Sequence, residues 1–361
     1  MRPSKQAAFG ALIGCASLLT ILIAPHTAQG ATWQVSAGAQ NADLGRQALA
    51  FLPNELWIHA GDSVKWTLDT NEIHTVSFMT PSQLRPVGPH RNDVITPDGT
   101  AFDGSSFVNS GDLSGGQTYT VKFPTTGNFK LVCLVHLYMN GTIHVLTPSA
   151  PLPFDQKSYD QEATQESSQL LSESKPQSGD GQKDGEQDAS PSRAVTTGTG
   201  AVIANGGGFQ SVSLMRFFPS TITVHVGQTV EWTNLDPATP HTITFGVEPA
   251  ALRFPAPIVT SGVGVNQSLD VDGAMHGTVA STTDNVHSGQ IFALPADRAV
   301  NGPNAVLPGT DPPDLSQYPL PILVKDVNQR FRVTFTHTGT FNYFCALHDD
   351  LGMTGKVIVL P

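Results

Sequence analysis

Cysteine is scarce in this chain: the 361 residues contain three, at positions 15, 133 and 345. Charged residues are also few, at 14% of the chain, and acidic residues outnumber basic ones by 30 to 19. Because a nucleic-acid-binding surface is strongly basic, this partner class is not expected. Few charges, together with 34 glycines and 27 prolines, favour turn-rich β structure over long helices.

Long apolar runs are missing from the sequence except at its N-terminus. Arg2 and Lys5 precede an apolar run over residues 7–24, and small residues follow at 28–31. This order of charge, apolar run and small residues is typical of a secretory signal peptide, which we predict over 1–30. We therefore expect a periplasmic or secreted protein. The run is also long enough to remain as an uncleaved anchor, and membrane association is expected only in that case.

The chain contains an internal repeat. Residues 51–67 (FLPNELWIHAGDSVKWT) and 217–233 (FFPSTITVHVGQTVEWT) share Pro, His, Gly, Val, Trp and Thr in register. Both segments alternate apolar and polar residues around a glycine, as paired half-buried strands do. The register continues through a His-Thr pair at His74 and again at His241. A repeat of this length indicates one duplicated β domain and not an array of short units.

The two copies are separated by a segment of different composition. We predict a first domain over 31–147 and a second over 198–361, with long loop insertions within 248–323. Gln, Ser, Asp, Glu and Gly dominate residues 148–197. Such a segment cannot bury enough apolar surface to offset the entropy lost on ordering, so we predict a disordered acidic linker there.

Each copy places a cysteine at the end of an alternating strand, with a histidine and a methionine soon after it. The two motifs are Cys133-x2-His136-x2-Met139 and Cys345-x2-His348-x4-Met353. Soft thiolate and thioether ligands suit copper, and two histidines with one cysteine and a weak axial methionine form an electron-transfer centre. The motifs therefore predict one mononuclear copper per copy. A disulfide between the two cysteines is the alternative, but it leaves the matched histidines and methionines unexplained.

These motifs resemble those of the cupredoxins, small β proteins that hold a type 1, or blue, copper. The first loop is similar to that of amicyanins and the second to that of pseudoazurins. The resemblance implies an all-β fold with two plastocyanin-like, Greek-key β-sandwich domains. It also implies two type 1 coppers, one per domain. The implied ligands are His74, Cys133, His136 and Met139 in the first domain and His241, Cys345, His348 and Met353 in the second.

A copper held by four protein ligands has no open coordination position, which favours electron transfer over catalysis on a small substrate. Copper oxidases and nitrite reductases resemble tandem cupredoxins, but they bind further coppers through His-x-His pairs or a histidine beside the copper cysteine. This sequence has neither. We therefore expect a monomeric, non-enzymatic electron carrier that exchanges electrons with redox protein partners. Copper trafficking or storage, and a copper oxidoreductase, are the alternatives.

By family analogy, the edges of His136 and His348 are expected to be exposed electron ports. The acidic pair 349–350 follows the second of these and is a candidate for steering a basic partner. His276 and His287 are candidates for an auxiliary metal site. An apolar docking rim is expected around the first port, formed by Leu134, Val135, Leu137 and Tyr138.

Overall fold

The computed structural model describes residues 30–81, 83, 92–136, 138–173, 193–248, 268–271, 274–293 and 330–361. The predicted signal peptide, most of the predicted insertions and Leu137 lie outside these residues. Within the described ranges the chain forms β-strands and one α-helix, α1 (Gln156–Glu173). No helix in this part of the chain is both long and apolar enough to span a bilayer.

The first half is a sandwich of two β-sheet layers. Its strands are β1 (Thr32–Gln40), β2 (Arg46–Leu52), β3 (Glu55–His59), β4 (Ser63–Leu68), β5 (Ser77–Phe78), β6 (Thr100–Ala101), β7 (Val108–Asn109), β8 (Thr118–Lys122), β9 (Gly127–Val132) and β10 (Asn140–Leu146). One layer has the order β2-β1-β4-β8-β6, and the other has the order β3-β10-β9-β5-β7. Parallel pairing of β1 with β4 and of β3 with β10 reflects the crossing connections of a Greek-key sandwich.

The second half repeats this architecture. Its strands are β11 (Ala194–Ala204), β12 (Phe209–Phe218), β13 (Thr221–His225), β14 (Thr229–Leu235), β15 (Thr244–Phe245), β16 (Ser268–Leu269), β17 (Met275–Val279), β18 (Val286–His287), β19 (Arg330–Phe335), β20 (Gly339–Phe344) and β21 (Thr354–Leu360). One layer runs β12-β11-β14-β19-β17-β16 and the other β13-β21-β20-β15-β18. Two Greek-key β-sandwiches are therefore present, as the resemblance implied.

The repeated segments form their strands because every second residue is apolar and faces the core. In β4 and β14 the buried residues alternate with partly exposed ones over six positions. Trp66 and Trp232, which match in the repeat, are both fully buried. Each packs against an aromatic ring of the facing layer, Phe78 or Phe245, with ring centroids 5.9 and 5.8 Å apart. Burial of these large rings stabilises each sandwich.

The two halves share one continuous sheet. Strand β2 pairs antiparallel with β12, which makes a single sheet of eleven strands from the two layers. Gln47 lies opposite Ser213 in this pairing, and these two residues occupy the same position in the repeat. The halves therefore meet through the same strand of each copy, as in the self-complementary contact of a two-fold dimer.

Part of the predicted disordered linker is ordered, so the prediction was wrong for α1. Tyr159 and Leu170 of this helix are buried. Leu170 packs in a small apolar cluster with residues of both joined strands, namely Ala48, Ala50, Leu52 and Val212. The Tyr159 hydroxyl accepts a hydrogen bond from the Trp57 amide (2.8 Å) and donates one to the Trp57 carbonyl (3.1 Å).

The helix was not predicted from the sequence because the residues that it packs against lie outside the linker. The pairing of β2 with β12 creates the surface on which the helix packs, and the composition of residues 148–197 does not indicate it. The second half also begins earlier than predicted, because β11 starts at Ala194. Residues 174–192 of the predicted linker lie outside the described ranges.

Candidate metal centres

Each cysteine is delivered by a strand that points its apolar residues into the core. Cys133 directly follows β9 and Cys345 directly follows β20, and both thiols are fully buried. In the second half, Phe341 and Tyr343 are buried on the same face as Cys345. The alternation predicted from the sequence therefore places the thiol at the inner end of the strand.

One histidine of each group lies one turn beyond the cysteine, on the same loop. The amide of His348 donates to the Cys345 carbonyl (3.0 Å), and the amide of Met353 donates to the His348 carbonyl (3.1 Å). In the first half the Met139 amide donates to the His136 carbonyl (3.4 Å). Both methionines are buried, and these backbone contacts give the loop its compact form.

The other histidine comes from a distant part of each half. His74 forms an isolated bridge with Leu113, and His241 forms the matching bridge with Ile291. Both imidazole rings are fully buried. Since neither residue belongs to the loop that carries the cysteine, the sandwich itself brings the two parts of each group together.

The three side chains converge in each half. In the first, the Cys133 sulfur lies 3.9 Å from His74 Nδ1 and 3.7 Å from His136 Nδ1, and the two nitrogens are 3.0 Å apart. In the second, the Cys345 sulfur lies 3.9 Å from His241 Nδ1 and 3.4 Å from His348 Nδ1, with 3.2 Å between the nitrogens.

These distances fit one metal ion per group. Transition-metal bonds to imidazole and thiolate are about 2.0–2.3 Å long, so three such ligands around one ion lie roughly 3–4 Å from one another. A buried thiolate with two imidazole nitrogens is also the donor set that copper prefers. Among the described residues, these are the two groups of His, Cys, Asp and Glu side chains close enough together to hold a metal.

Each thiol is held in a form that can bind a metal. The Thr75 amide approaches the Cys133 sulfur at 3.4 Å, and the Thr242 amide approaches the Cys345 sulfur at 3.3 Å. Burial opposes ionisation, but the surrounding imidazole rings outweigh it and lower the pKa of both cysteines well below its ordinary value. A thiolate is the form that binds metal, so the sites favour the reactive state without exposing it to water.

The same two threonines tie the distant histidine segment to the cysteine loop. The Thr75 hydroxyl accepts from the Leu134 amide, and the Thr242 hydroxyl accepts from the Ala346 amide, both at 2.7 Å. Each threonine follows its histidine directly in the chain. The matched contacts fix the distance between the segment of the distant histidine and the cysteine loop in each group.

A glycine bulge gives each distant histidine its space. The pairing of β1 and of β11 shifts register at Gly38 and Gly198, whose φ angles are +74° and +71°. A Cβ atom on Gly38 would lie 2.7 Å from His74 Nε2, and one on Gly198 would lie 2.2 Å from His241 Nε2. Glycine is therefore required at both bulges, by the backbone conformation and by the close approach of the ring.

The outer contacts of the two groups differ. His241 Nε2 lies 3.3 Å from the Asp236 carboxylate, and both side chains are completely buried. The equivalent atom of His74 is buried without a hydrogen-bond partner. One carboxylate, that of Glu72, stands 3.3 Å from His136 Nε2 and 3.7 Å from His348 Nε2.

Glu72 is a buried carboxylate between two imidazole rings. Burial alone would raise its pKa, but the neighbouring rings of His348 and His136 outweigh that effect and lower the pKa to about 2. The side chain is therefore a fixed negative charge in an environment with little water.

Comparison with known proteins agrees with this geometry. A model of copper-binding proteins of the plastocyanin/azurin family matches residues 38–146 and 322–360. The chloroplastic plastocyanin of Tetradesmus obliquus is 33% identical over 104 residues. The aligned part is 28% of this chain and 62% of the plastocyanin, so it spans less than two thirds of that protein.

Solved cupredoxin structures align with the chain at lower identity. Oxidized plastocyanin from Dryopteris crassirhizoma is 17% identical, with a TM-score of 0.21, and the alignment covers 46% of this chain and 99% of that one. A purple cupredoxin from Nitrosopumilus maritimus is 22% identical, with a TM-score of 0.22 and coverage of 32% and 99%.

Copper is the metal of the matched family, and the two His-Cys-His groups fit two copper sites. Members of the family are mainly electron carriers, which supports a copper-binding electron-transfer function. The structure brings together the predicted histidine and cysteine ligands of each half. The predicted axial ligands, Met139 and Met353, lie buried on the same loops as the cysteines.

The predicted exposed ports are not exposed in this chain. His136 is 1% and His348 is 3% accessible to solvent. The prediction was wrong because each port faces the other half of the chain. The docking rim is covered for the same reason: Leu134 and Tyr138 are buried, and Tyr138 packs on Phe209 of the second half with ring centroids 6.0 Å apart. Val135 is partly exposed.

The auxiliary metal site is also not formed by its predicted residues. His276 Nδ1 lies 3.0 Å from Asp270, and its Nε2 lies 2.7 Å from the Thr334 hydroxyl. His287 instead contacts the Thr244 hydroxyl at 2.8 Å. Each ring is used in its own local contact. The acidic pair 349–350 is exposed, as a steering role requires.

Sequence reasoning missed the two outer carboxylates and the two bulge glycines. A weak signal for the glycines exists, because Val-x-x-Gly occurs at 35–38 and again at 195–198. No comparable signal marks the role of Glu72 or Asp236: counted back from the matched histidines, Glu72 aligns with Thr239, and Asp236 aligns with Asp69, which is exposed.

Proposed function

We propose that this chain is an extracytoplasmic electron carrier with two type 1 copper centres, one in each half. The observation that carries the proposal is the pair of buried thiols, each with two imidazole nitrogens 3.4–3.9 Å from the sulfur. Bound copper would supply one-electron chemistry by changing between Cu(II) and Cu(I). The proposed ligands are His74, Cys133, His136 and Met139 for one centre and His241, Cys345, His348 and Met353 for the other.

The protein's own residues support rapid electron exchange over substrate chemistry. The ligand groups are buried, so water and small substrates have little access to them. The threonine contacts and glycine bulges hold the ligands in place before metal binds. A rigid, pre-formed site limits the rearrangement that accompanies a change of oxidation state, which speeds electron transfer and disfavours an enzyme with an open coordination position.

The proposed partners are redox proteins, and the proposed chain is a monomer. The exposed acidic pair 349–350 favours a partner with a basic surface, whose association would weaken with added salt. The extracytoplasmic location rests on the apolar segment at residues 7–24 and on the location typical of plastocyanin-like cupredoxins. Membrane attachment is proposed only if that segment is retained.

The first test is copper content measured together with the visible spectrum. The full chain is loaded with Cu(II) and compared with Cys133→Ser and Cys345→Ser. We expect two coppers per chain and an intense thiolate-to-copper band, with each substitution removing one copper and about half of the band. Cys15→Ser, made in the unprocessed chain, is the matched control, because Cys15 is not one of the proposed ligands and its loss should change neither quantity.

Other outcomes select other functions. Colourless protein that retains only Cu(I), or copper binding that ignores both substitutions, would overturn the electron carrier and favour trafficking or storage. More than two tightly bound coppers would favour an oxidoreductase.

A further inference from the structure

The two metal sites face each other across the contact between the halves. Each predicted port histidine is buried, although each lies on a loop at the end of its own sandwich. The atoms that face outward from the sites are the Nε2 atoms of His136 and His348. Both approach the same side chain, Glu72, at 3.3 and 3.7 Å.

This arrangement is held by contacts that do not involve metal. The β2–β12 pairing fixes the two sandwiches in one sheet. Arg216, on β12, donates to the Leu351 carbonyl of the second site's loop (2.7 Å) and also to the Asp43 carbonyl of the first half. Tyr138, on the first site's loop, packs on Phe209 of the second half. The first site's loop therefore contacts the opposite half directly, and the second site's loop is linked to it through Arg216.

Glu72 is well placed to connect the sites. Its amide donates to the Thr70 hydroxyl (3.0 Å), which orients the turn before His74. The side chain is nearly inaccessible to solvent, and each carboxylate oxygen faces a different ring. An ionised carboxylate that accepts from the outer N–H of a ligand histidine fixes the ring's orientation and raises its basicity.

We propose that Glu72 joins the two sites into one redox pair, in which an electron passes within the chain through His136, the Glu72 carboxylate and His348. This inference rests on the proposed function. The transfer is balanced within the half-reduced protein: the reduced site loses one electron, the oxidised site gains it, and no bond or proton changes place. The external partners then exchange electrons with the pair as a whole.

The test uses the copper-loaded full chain, after both thiolate bands have been verified. A short reducing pulse delivers less than one electron per chain, and the redistribution of electrons between the sites is followed in time. We expect a phase whose rate does not depend on protein concentration. Glu72→Ala should slow it roughly 10-fold or more, on the scale of other outer-ligand substitutions, whereas Glu72→Gln, which keeps one acceptor oxygen, should slow it less. Asp350→Asn, which removes an exposed carboxylate near the second site, is the matched control.

A second readout is independent of electron transfer. In the zinc-loaded protein, NMR signals of the Nε2–H protons of His136 and His348 should both be protected from exchange. Glu72→Ala should shift both signals strongly, whereas Asp350→Asn, which removes a nearby exposed charge that contacts neither ring, should shift them much less. If Glu72→Ala shifts one signal or none, or leaves the internal rate unchanged while both bands are present, the inference is wrong and the proposed function still stands. If the wild type has no thiolate band, the proposed function fails, and the zinc experiment still decides whether Glu72 contacts both rings.

Discussion

The first and second metal sites have the same inner residues and different outer ones. In both, a buried cysteine meets two imidazole nitrogens, and a threonine ties the distant histidine to the cysteine loop. Beyond that set the copies diverge: Nε2 of His241 faces the carboxylate of Asp236, whereas Nε2 of His74 is buried without a hydrogen-bond partner. Duplication has therefore preserved the ability to bind metal, while the outer residues are free to give each site its own affinity and potential.

The largest expected effect on the free energy of unfolding comes from substituting the bulge glycines. Gly38→Ala and Gly198→Ala both force a residue with a side chain into the left-handed region and against a buried ring. Together these effects cost roughly 2–4 kcal/mol of unfolding free energy. The cost should be greater for Gly198→Ala, because Asp236 holds His241 in place, whereas His74 has no such partner and can move. Urea unfolding of the metal-free protein measures both values.

Two turn glycines separate backbone strain from the clash. Gly61 and Gly227 also have positive φ angles, but a Cβ atom on either meets nothing within 4 Å. Gly61→Ala and Gly227→Ala should therefore cost less than their bulge counterparts. Equal costs at all four positions would contradict the argument that the histidine rings require these glycines.

The helix α1 should stabilise the first half more than the second. Leu170→Ala removes a buried side chain from the cluster on β2 and β12 and should cost about 2–3 kcal/mol. Since α1 lies mainly against β1 and β2, hydrogen exchange should accelerate there before it does in β14 or β19. Ser168→Ala, at an exposed position of the same helix, is the control and should leave stability nearly unchanged. Uniform acceleration across both halves would refute a preferential role.

The third prediction concerns the carboxylate that only the second site has. Asp236→Asn should weaken metal binding at that site roughly 10- to 100-fold. It should also raise the site's reduction potential, because a negative charge that favours the more positive oxidation state has been removed. Asparagine keeps the oxygen that accepts from the Ala238 and Thr239 amides, so the loop should remain folded.

Measuring this effect requires variants in which only one of the two sites can bind metal. The substitution is made in a Cys133→Ser background, where only the second site is expected to bind copper. Asp69→Asn removes an exposed carboxylate from the equivalent loop of the first half and is measured in a Cys345→Ser background. An unchanged second site, or equal changes in the two backgrounds, would argue against Asp236 as the source of the asymmetry.

The smallest expected effect is a pH dependence at the junction. Glu166 of α1 accepts from the Gln210 amide group of the second half at 2.9 Å, and burial raises its pKa from 4.5 to about 7. Between these values the folded protein holds more protons than the unfolded chain, so stability should fall as pH rises from about 4.5 to about 7. Glu166→Gln should flatten this slope and stabilise the protein at pH 8 by about 1 kcal/mol, allowing for partial exposure.

The control is Asp160→Asn, which changes an exposed carboxylate of the same helix. Its unfolding free energy should keep the wild-type dependence on pH. A Glu166→Gln variant with the wild-type slope would show that another group is responsible.

The sequence was sufficient to predict the β class, the duplication, copper as the metal, and the histidine and cysteine members of both groups. These depend on local patterns: alternating apolar residues produce the strands, and a Cys-x2-His spacing places two ligands on one loop. His74 and His241 could be identified because a His-Thr pair occurs at matching positions in both copies of the repeat. Where a feature is both local and repeated, the sequence carries enough information to predict it.

The way in which the two halves meet could be seen only in the three-dimensional structure. Surfaces created by residues far apart in the chain explain three features: the pairing of β2 with β12, the formation of α1, and the burial of His136 and His348. Glu72 shows this most clearly, because its two partners lie 64 and 276 positions away. A side chain whose role comes from contacts across a domain junction has no counterpart in the repeat and no local pattern. Its significance therefore becomes visible only after the fold is complete.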